Sequence, residues 1–393
     1  MVPRAGAPAV TLLEFALLAC AAVWLYLLLA RGGFWLCRVR DDGQFPDPRA
    51  WPSVVAIVPA RDEAEVIGRS IGSLAAQDYP GDFSILLVDD QSQDGTAERA
   101  LEAAERSRPA RRLSVIKGRA LPPGWTGKLY ALQQGIEAAA SGAKPQYIWL
   151  TDADIVYEPG ALTHLVRRAE AGGFALTSLM VKLRCQSWAE RALIPAFIFF
   201  FQMLYPFAWV GRKGSGVAAA AGGCMLVRRE ALTAAGGFAA IRGALIDDCA
   251  LAAKLKAVGP IWLGLTSRAY SIRPYDQFGD IRRMVARSAY AQLRYSGIAL
   301  AGTVLSMLLV YVLPPLAALF AQGPTQAAGW AIWTMMAVMF APTLVFYGLS
   351  PLWGALLPVV ALIYVAFTLD SAWQHVRGRG GMWKGRIQAA RSP

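Results

Sequence analysis

The sequence predicts an α/β domain with a mainly parallel sheet, placed between hydrophobic segments that enter a membrane. Short β-rich runs alternate with helical patterns between residues 51 and 297, and long apolar stretches lie on both sides of that region. Of the 393 residues, 55% are hydrophobic and only 17% are charged. A soluble protein normally carries more charge than this, so the composition predicts a membrane protein.

The first element is an apolar stretch from residue 10 to residue 30, with Glu14 near its start. This is the length that a helix needs to cross the hydrocarbon core of a bilayer. It is longer than the apolar part of a typical signal peptide, and Arg31-Gly32-Gly33 does not resemble a cleavage site. More basic residues follow the stretch than precede it, so the positive-inside rule predicts a cytosolic carboxyl end. Residues 1–50 are thus predicted to form a transmembrane anchor and a linker.

Alternating strands and helices define the central domain, predicted at residues 51–297. This alternation indicates right-handed βαβ units and a sheet that is covered on both faces. Ligands of such sheets bind at the carboxyl ends of the strands. The predicted strands are residues 54–59, 83–89, 113–117 and 147–151, and the helical patterns between them are residues 64–77, 95–107 and 128–141.

Two later regions are also strongly hydrophobic. Residues 188–212 are rich in aromatic side chains, and we predict an interfacial helix there, because a crossing would put the membrane between Asp154 and Asp248. Packing in the domain core is the alternative. Residues 298–371 hold three candidate spans. Three crossings would place the basic tail, residues 372–393, outside the cell, so one span is predicted to be re-entrant or interfacial; the sequence leaves open which one.

The positive charge of the chain predicts a membrane partner and no nucleic acid. Much of the formal net charge of +12 comes from Arg and Lys residues that flank the hydrophobic segments, where they meet anionic lipid headgroups. The five cysteines are scattered without a C-x-x-C pair, and the chain has two histidines. Neither a disulfide framework nor a zinc site is indicated. Catalysis by this chain would therefore depend on carboxylates.

Acidic residues follow three of the predicted strands. Because the carboxyl ends of parallel strands meet at one edge of a sheet, we expect these residues to lie close together. The alternative for any single Asp after a strand is a turn or a helix cap. The candidates are Pro59, Ala60, Arg61 and Glu63 after the first strand, Asp89 and Asp90 after the second, and Asp152 and Asp154 after the fourth.

A second group of candidates lies outside these strand ends. Lys128 opens a helix, where backbone N–H groups and an ammonium group can meet a phosphate, although a surface lysine is an equal alternative. Gly223 precedes the acidic pair Asp247 and Asp248, and the alternative for Asp247 is a helix N-cap. Residues 280–296 are predicted to form one helix, with Gln292 and Arg294 near its end.

In this order, the motifs resemble the family 2 glycosyltransferases of GT-A fold, and among them the bacterial hopene-associated glycosyltransferases. The resemblance covers the whole chain, from the apolar amino-terminal stretch to Trp383-Lys384-Gly385-Arg386. It implies that the first two strand ends hold the base and ribose of a nucleotide sugar. It also implies that the D-x-D pair, Asp154 with Asp152, binds Mg²⁺ or Mn²⁺, hard cations that prefer carboxylate and phosphate oxygens.

The same resemblance assigns the acceptor chemistry to Asp248, as the base that deprotonates the acceptor hydroxyl. Its neighbour Asp247 stands where the family usually has Glu. Gln292-Leu293-Arg294-Tyr295 is similar to the family's Q-x-x-R-W motif in a shortened form, and Arg294 is expected at the donor diphosphate. Lys128, Asp152, Gly223 and Gln292 are the further candidate donor contacts.

The expected activity is an inverting transfer of a sugar from a nucleotide sugar to a lipid acceptor, with a hopanoid implied by resemblance alone. The expected place is the bacterial inner membrane, with the catalytic domain in the cytosol. One alternative is a processive polysaccharide synthase, against which the weak Q-x-R-Y form and the few spans count. The other is a catalytically silent scaffold, against which the set Asp90, Asp154 and Asp248 counts.

Overall fold

A computed structural model describes residues 11–107, 112–142, 144–383 and 386–387. The predicted anchor residues 1–10 and the tail residues 384–385 and 388–393 lie outside the described residues. The main sheet contains eight strands. They are β1 (Val54–Ala60), β2 (Phe83–Asp89), β3 (Arg112–Lys117), β4 (Tyr147–Thr151), β5 (Ile155–Tyr157), β6 (Leu176–Lys182), β7 (Cys224–Arg228) and β8 (Ile261–Ser271). Two short strands, β9 (Met382–Trp383) and β10 (Arg386–Ile387), pair separately.

The spatial order of the main sheet is β3-β2-β1-β4-β7-β6-β8-β5. The four strands predicted from the sequence are parallel to one another, which confirms the mainly parallel α/β prediction. Strand β7 runs antiparallel between β4 and β6, and β5 runs antiparallel to β8. Strand β4 is buried along its whole length, as expected for a central strand with helices on both faces.

The helices alternate with the strands and then continue into an apolar bundle. In chain order they are α1 (Leu12–Leu29), α2 (Ile67–Ala75), α3 (Thr96–Arg106), α4 (Gly127–Ala140), α5 (Ala161–Gly172), α6 (Trp188–Leu204), α7 (Phe207–Val210), α8 (Arg229–Ala234), α9 (Asp247–Val258), α10 (Phe278–Ala286), α11 (Ala289–Gln292), α12 (Gly297–Met307), α13 (Leu313–Phe320), α14 (Gly323–Phe346) and α15 (Leu357–Val376). A π-helical turn, Leu308–Val312, joins α12 to α13, and 3₁₀ turns lie at Phe34–Leu36, Phe238–Ile241 and Pro351–Leu356.

The single helix predicted over residues 280–296 is wrong. Helix α10 ends at Ala286, and the four-residue α11 follows after a break at Ser288. Arg294 and Tyr295 then take left-handed backbone angles, with φ of 52° and 57°, which no α-helix tolerates. The Tyr290 hydroxyl stabilises this turn by donating to the Tyr295 carbonyl at 2.8 Å. The predicted helix therefore breaks into two short helices and a left-handed turn.

Five stretches of the described chain are helical, long and apolar enough to cross a membrane, namely Leu12–Leu29, Trp188–Val210, Gly297–Phe320, Gly323–Phe346 and Pro351–Val376. The amino-terminal helix packs against the π-helical turn, where the Trp24 indole donates to the Val310 carbonyl at 3.0 Å and its ring meets Tyr311 edge-on. Apolar helices at both ends of the chain therefore join one bundle; the sequence predicted the apolar helices but not their contact.

The last hydrophobic segment, residues 351–376, turns back on itself. The carboxyl end of α14 contacts the α/β domain, where the Leu183 N–H donates to the Tyr347 hydroxyl at 3.4 Å. The chain then runs back along α14, and the Trp333 indole donates to the Ala355 carbonyl at 3.0 Å. Helix α15 returns to the same domain, because the Tyr290 N–H donates to Ser371 Oγ at 3.0 Å. Both helices thus end on the domain side of the bundle.

Candidate active site

The predicted acidic strand ends lie at one edge of the sheet. Strand β1 pairs with β2 on one side and with β4 on the other, both parallel, so the three carboxyl ends are adjacent. Residues 59–63, 89–90 and 152–154 therefore meet at this edge, which we call the acidic rim. The rim also includes Lys128, Asp247, Asp248 and Arg273, whose side chains contact these strand ends or each other.

The first corner of the rim is formed by the ends of β1 and β2. Pro59 and Ala60 are aligned with Val88 and Asp89, and the Ala60 carbonyl accepts from the Asp90 N–H at 2.8 Å. Arg61 donates to the Asp90 carbonyl at 2.7 Å, and its guanidinium lies 3.8 Å from the buried Asp90 carboxylate.

Asp89 has a different position from Asp90, because it is half-buried and its Oδ1 accepts from the Ser92 N–H at 3.0 Å. The loop after β2 is thereby turned back over the strand end. The side chain of Thr96, the first residue of α3, also fastens the β1 end, since its Oγ1 accepts from the Glu63 N–H at 2.9 Å. Hydrogen bonds thus hold the backbone and carboxylate groups at the ends of β1 and β2 in place.

Asp152 lies in an ion pair with Lys128. The Lys128 ammonium, in the first turn of α4, is 2.6 Å from Asp152 Oδ1 and 3.7 Å from Asp247 Oδ2. Burial of the ammonium opposes its charge, but the attraction of the two carboxylates is larger and raises the pKa of Lys128. Lys128 therefore stays protonated and is no isolated surface lysine.

Asp154 is held by a residue that the sequence did not single out, Arg273. Asp154 Oδ2 accepts from Ser271 Oγ at 2.7 Å and from Arg273 Nε at 3.2 Å. The same guanidinium donates through Nη2 to both oxygens of Glu63, at 2.7 and 2.8 Å. Ser271 is the last residue of β8, and Arg273 follows it by two residues; both side chains reach Asp154. The spacing of the two residues is readable in the sequence, but the position of β8 in the sheet is not.

Asp248 lies beside these groups, at the start of α9. Its Oδ2 accepts from the Gly222 N–H at 3.0 Å and its Oδ1 from the Cys249 N–H at 2.7 Å. Burial and the neighbouring charge of Asp247 raise the pKa of Asp248 to about 6, against the opposing charge of Lys128. A carboxyl group with a raised pKa is a stronger base when ionised, as proton abstraction from a hydroxyl requires.

The N-cap alternative for Asp247 does not fit the structure. Helix α9 includes Asp247, the residue before it is Ile246, and no side chain caps this helix. Both aspartates lie in the first turn, where the helix dipole favours negative charge. Asp247 contacts Lys128 instead, which places it in the rim.

The two glycines before β7 face different surroundings. A Cβ atom on Gly222 would lie 3.2 Å from Lys128 Nζ and 3.6 Å from Asp248 Oδ2. A Cβ atom on Gly223 would instead lie 3.0 Å from Val181, within the domain. The glycine that borders the rim directly is therefore Gly222, and the predicted Gly223 lies one residue behind it.

Gln292 and Arg294 differ in their connection to the rim. Gln292 donates to the Tyr205 hydroxyl at 2.6 Å, and Tyr205 also interacts with Cys249, the neighbour of Asp248. Arg294 is exposed, and none of the ion pairs between described residues includes it. Tyr205 follows α6 directly, so it joins the apolar helices to the rim; nothing in its local sequence signalled this position.

The carboxylates of the D-x-D pair suit a hard cation in number and kind. Lys128 uses only Oδ1 of Asp152, and Ser271 and Arg273 use only Oδ2 of Asp154. Within the described residues, no group of three or more His, Cys, Asp or Glu side chains is arranged to hold a metal ion. Two carboxylate oxygens would thus need further ligands, which a diphosphate can supply.

The fold and this acidic rim define a glycosyltransferase. The model of the family described as "Glycosyl transferase family 2" matches residues 55–235, and that of "Glycosyl transferase family group 2" matches residues 147–368, more than half of the chain. The chain therefore belongs to the family 2 glycosyltransferases, and its domain has the GT-A fold.

Similar proteins are known in solved structures and by sequence. A mannosyltransferase from Pyrobaculum calidifontis, solved with GDP-Man and Mn²⁺, has a TM-score of 0.59 and 19% identity, covering 92% of this chain and 99% of its own. A glucosyl-3-phosphoglycerate synthase from Mycobacterium tuberculosis, solved with Mn²⁺, UDP-Glc and glycerol 3-phosphate, has a TM-score of 0.36 and 22% identity, covering 60% and 78%. An N-acetylglucosaminyltransferase of Mesorhizobium japonicum is 27% identical over 154 residues, which are 38% of this chain and 34% of that protein. The match therefore spans about a third of that relative's length.

Proposed function

We propose that this glycosyltransferase is an inverting enzyme of the bacterial inner membrane that transfers a sugar from a nucleotide sugar to the hydroxyl group of a lipid, with a hopanoid as the first acceptor to test. The observation that carries the proposal is the position of Asp248 between two environments. Asp248 interacts with Lys128 and Asp247 of the acidic rim. Tyr205, which directly follows the apolar helix α6, also interacts with Asp248 and with its neighbour Cys249.

The donor would lie along the strand ends of the rim. The first corner, with Arg61, Asp89 and Asp90, would receive the nucleoside, and Asp152 and Asp154 would hold Mg²⁺ or Mn²⁺ at the diphosphate. A bound divalent cation would neutralise the charge that develops on the leaving diphosphate. Lys128 supplies a second fixed positive charge next to the same position.

Asp248 would remove the proton of the acceptor hydroxyl as the oxygen attacks the anomeric carbon from the side opposite the diphosphate. The single displacement inverts the configuration of that carbon. Gly222 N–H and Cys249 N–H orient the carboxylate from the side of the protein. Gln292 would act on the acceptor side, because its amide fixes the Tyr205 hydroxyl. Arg294, which is exposed, would contact the diphosphate.

The position of α6 supports entry of a lipid from the bilayer surface. At its start, Glu190 Oε1 accepts from the Tyr275 N–H at 2.9 Å, and at its end Tyr205 accepts from Gln292. Both ends thus contact the segment after β8, which favours a helix lying along the domain at the interface over one that crosses. Arg31 and Arg40, which follow α1, favour a cytosolic catalytic domain by the positive-inside rule.

A donor and acceptor screen tests the proposal. Membranes that contain the protein receive labelled UDP-GlcNAc, UDP-Glc or GDP-Man with a bacterial lipid extract, and mass spectrometry identifies the product. We expect a lipid that has gained one sugar. A polymeric product would contradict the proposal and support the polysaccharide synthase.

The metal is tested by donor binding rather than by turnover. In the wild-type protein, binding of the donor should require Mn²⁺ or Mg²⁺. In Asp154→Ala, the donor should bind weakly, and its affinity should be the same with and without the metal. Ser271→Ala, which keeps both carboxylates, is the matched control and should retain the requirement. Equal donor affinity of the wild-type protein with and without a chelator would exclude the metal.

A further inference from the structure

Arg273 lies where no candidate residue was expected, between two strand ends of the acidic rim. Its guanidinium makes a bidentate contact with Glu63 after β1 and a single contact with Asp154 after β4. Both carboxylates are almost completely buried, at 8% exposure each, whereas the Arg273 side chain retains 31%. One cation is therefore shared by two acids and still faces the rim.

Electrostatics explains why these carboxylates need such a partner. Two carboxylates that lie close together in a buried place cannot both remain ionised unless a positive charge compensates them. A guanidinium suits this task because it always carries its charge and presents several N–H groups in a fixed plane. The attraction of Asp154 and Glu63 outweighs burial and raises the pKa of Arg273 further.

The contact also decides which oxygen of Asp154 can bind another group. Ser271 and Arg273 both use Oδ2, so the contacts leave Oδ1 as the ligand oxygen. Asp152 is arranged in the same manner, since Lys128 uses its Oδ1. Each member of the D-x-D pair is thus half-neutralised by a cation of the protein itself. A dication would meet less negative charge here than two unpaired aspartates would offer.

We propose that Arg273 is a positioning residue that fixes the Asp154 carboxylate and, as its built-in countercharge, makes divalent-cation binding at the rim depend on the donor diphosphate. This rests on the proposed function, because it assigns the metal to the D-x-D pair. The negative charge that Arg273 cancels is restored when a diphosphate binds. The cation and the nucleotide therefore bind together, and the resting protein keeps little affinity for the cation.

The test measures Mn²⁺ binding to the full-length protein in detergent by electron paramagnetic resonance, with no sugar transfer involved. Wild-type protein should bind Mn²⁺ weakly alone and more tightly when UDP or GDP is added. Arg273→Gln should bind Mn²⁺ roughly tenfold more tightly without a nucleotide, because a countercharge has been removed. Arg273→Lys keeps the charge and should resemble the wild-type protein.

Arg184→Gln is the matched control. Arg184 also joins two carboxylates, Glu190 at 2.9 Å and Asp276 at 2.6 Å, but away from the D-x-D pair. The Arg184→Gln variant should therefore bind Mn²⁺ as the wild-type protein does. If Arg273→Gln does not fold, Arg273→Met removes the same positive charge while keeping an unbranched side chain, and it should also bind Mn²⁺ more tightly than the wild-type protein.

The outcomes separate this inference from the proposed function. Unchanged or weaker nucleotide-free Mn²⁺ binding by folded Arg273→Gln would overturn the role of Arg273, even if the wild-type protein binds Mn²⁺ with UDP or GDP. Absence of Mn²⁺ binding by the wild-type protein with either nucleotide and with every donor of the screen would instead overturn the metal assignment itself. A purely structural Arg273 would lower thermal stability without tightening Mn²⁺ binding.

Discussion

Two regions of this protein surround carboxylates with cations, yet they differ in how much of the acid remains accessible. In the acidic rim, the Asp152 side chain is 34% exposed and contacts Lys128 through one oxygen. In the second region, Asp41 is fully buried in contact with His164 at 2.9 Å, Arg168 at 3.7 Å and Arg268 at 3.8 Å. We call these four residues the linker cluster.

The linker cluster connects the chain after α1 to the α/β domain. The Asp41 N–H donates to the Leu265 carbonyl of β8 at 2.8 Å, and Arg168 is enclosed between the rings of Phe45 and Trp262. An adjacent cavity of about 530 Å³ is lined by linker residues together with His164, Arg167 and Arg268, and by no predicted site residue. The same residue types therefore serve two purposes: the fully buried carboxylate of the linker cluster holds two parts of the chain together, whereas the partly exposed carboxylate of the rim can bind a ligand.

The largest effect that we predict from this comparison is the loss of sugar transfer when Asp248 is replaced. Asp248→Asn removes the proposed base but keeps the size of the side chain, so sugar transfer should fall by about a thousandfold. Donor affinity should change little, because the carboxylate acts on the acceptor. Transfer of labelled sugar and equilibrium donor binding measure the two quantities. Transfer at the wild-type rate would remove Asp248 from the base role.

Asp41→Asn should show the reverse pattern. It leaves Arg168 and Arg268 without their carboxylate, and loss of one partner from a buried ion cluster costs about 3 kcal/mol of stability. Thermal unfolding in detergent should therefore occur at a lower temperature, while transfer per folded molecule stays close to the wild-type value. Glu102→Gln, in an exposed pair with Arg106, is the control and should change stability by less than about 0.5 kcal/mol. A stable but inactive Asp41→Asn variant would contradict the division between the two clusters.

The pH dependence of transfer sharpens the comparison at the rim. With a pKa of about 6, Asp248 loses its basic form in mild acid, so kcat/KM should fall about tenfold per pH unit below that value and level off above it. If kcat/KM fell only below about pH 4, the base would be a carboxyl group with an ordinary pKa. Because folding raises this pKa, the carboxyl favours the folded state fully below about pH 4, and that contribution is lost as the pH rises through about 6.

The smallest predicted effect concerns the linker itself. Phe45 covers Arg168, with 4.4 Å between the guanidinium carbon and the ring centroid. Phe45→Ala should therefore lower stability by about 1 kcal/mol, through the lost cation–π contact and lost packing. Sugar transfer by the folded protein should not change. Phe45→Tyr keeps the ring and should restore the melting temperature; a loss of transfer in Phe45→Ala would instead link this region to the acidic rim.

Much of the sheet that carries the acidic rim could be predicted, because the sequence patterns that mark its strands are local. Strands β1 to β4 begin and end within a residue of the predicted positions, since strand-forming runs bounded by turn residues mark both limits. Their parallel arrangement follows from the intervening helices. The meeting of Glu63, Asp90 and Asp154 at one edge then follows from topology alone.

The contacts of the rim could not be predicted in the same manner. Arg273 reaches Glu63 across 210 positions of sequence, and Tyr205 reaches Gln292 across 87. Such pairs depend on the order β7-β6-β8-β5, in which β7 and β5 run antiparallel to their neighbours and break the simple alternation.

The sequence by itself determined the class of fold, the hydrophobic ends of the chain and the carboxylates that gather at one sheet edge, because helix period, strand period and apolar length are properties of short segments. Only the tertiary structure decided which cation neutralises which carboxylate, which residues join the apolar helices to Asp248, and that residues 351–376 turn back towards the domain. These features arise from the free energy of burying charge and apolar surface against distant parts of the chain, which no local pattern records.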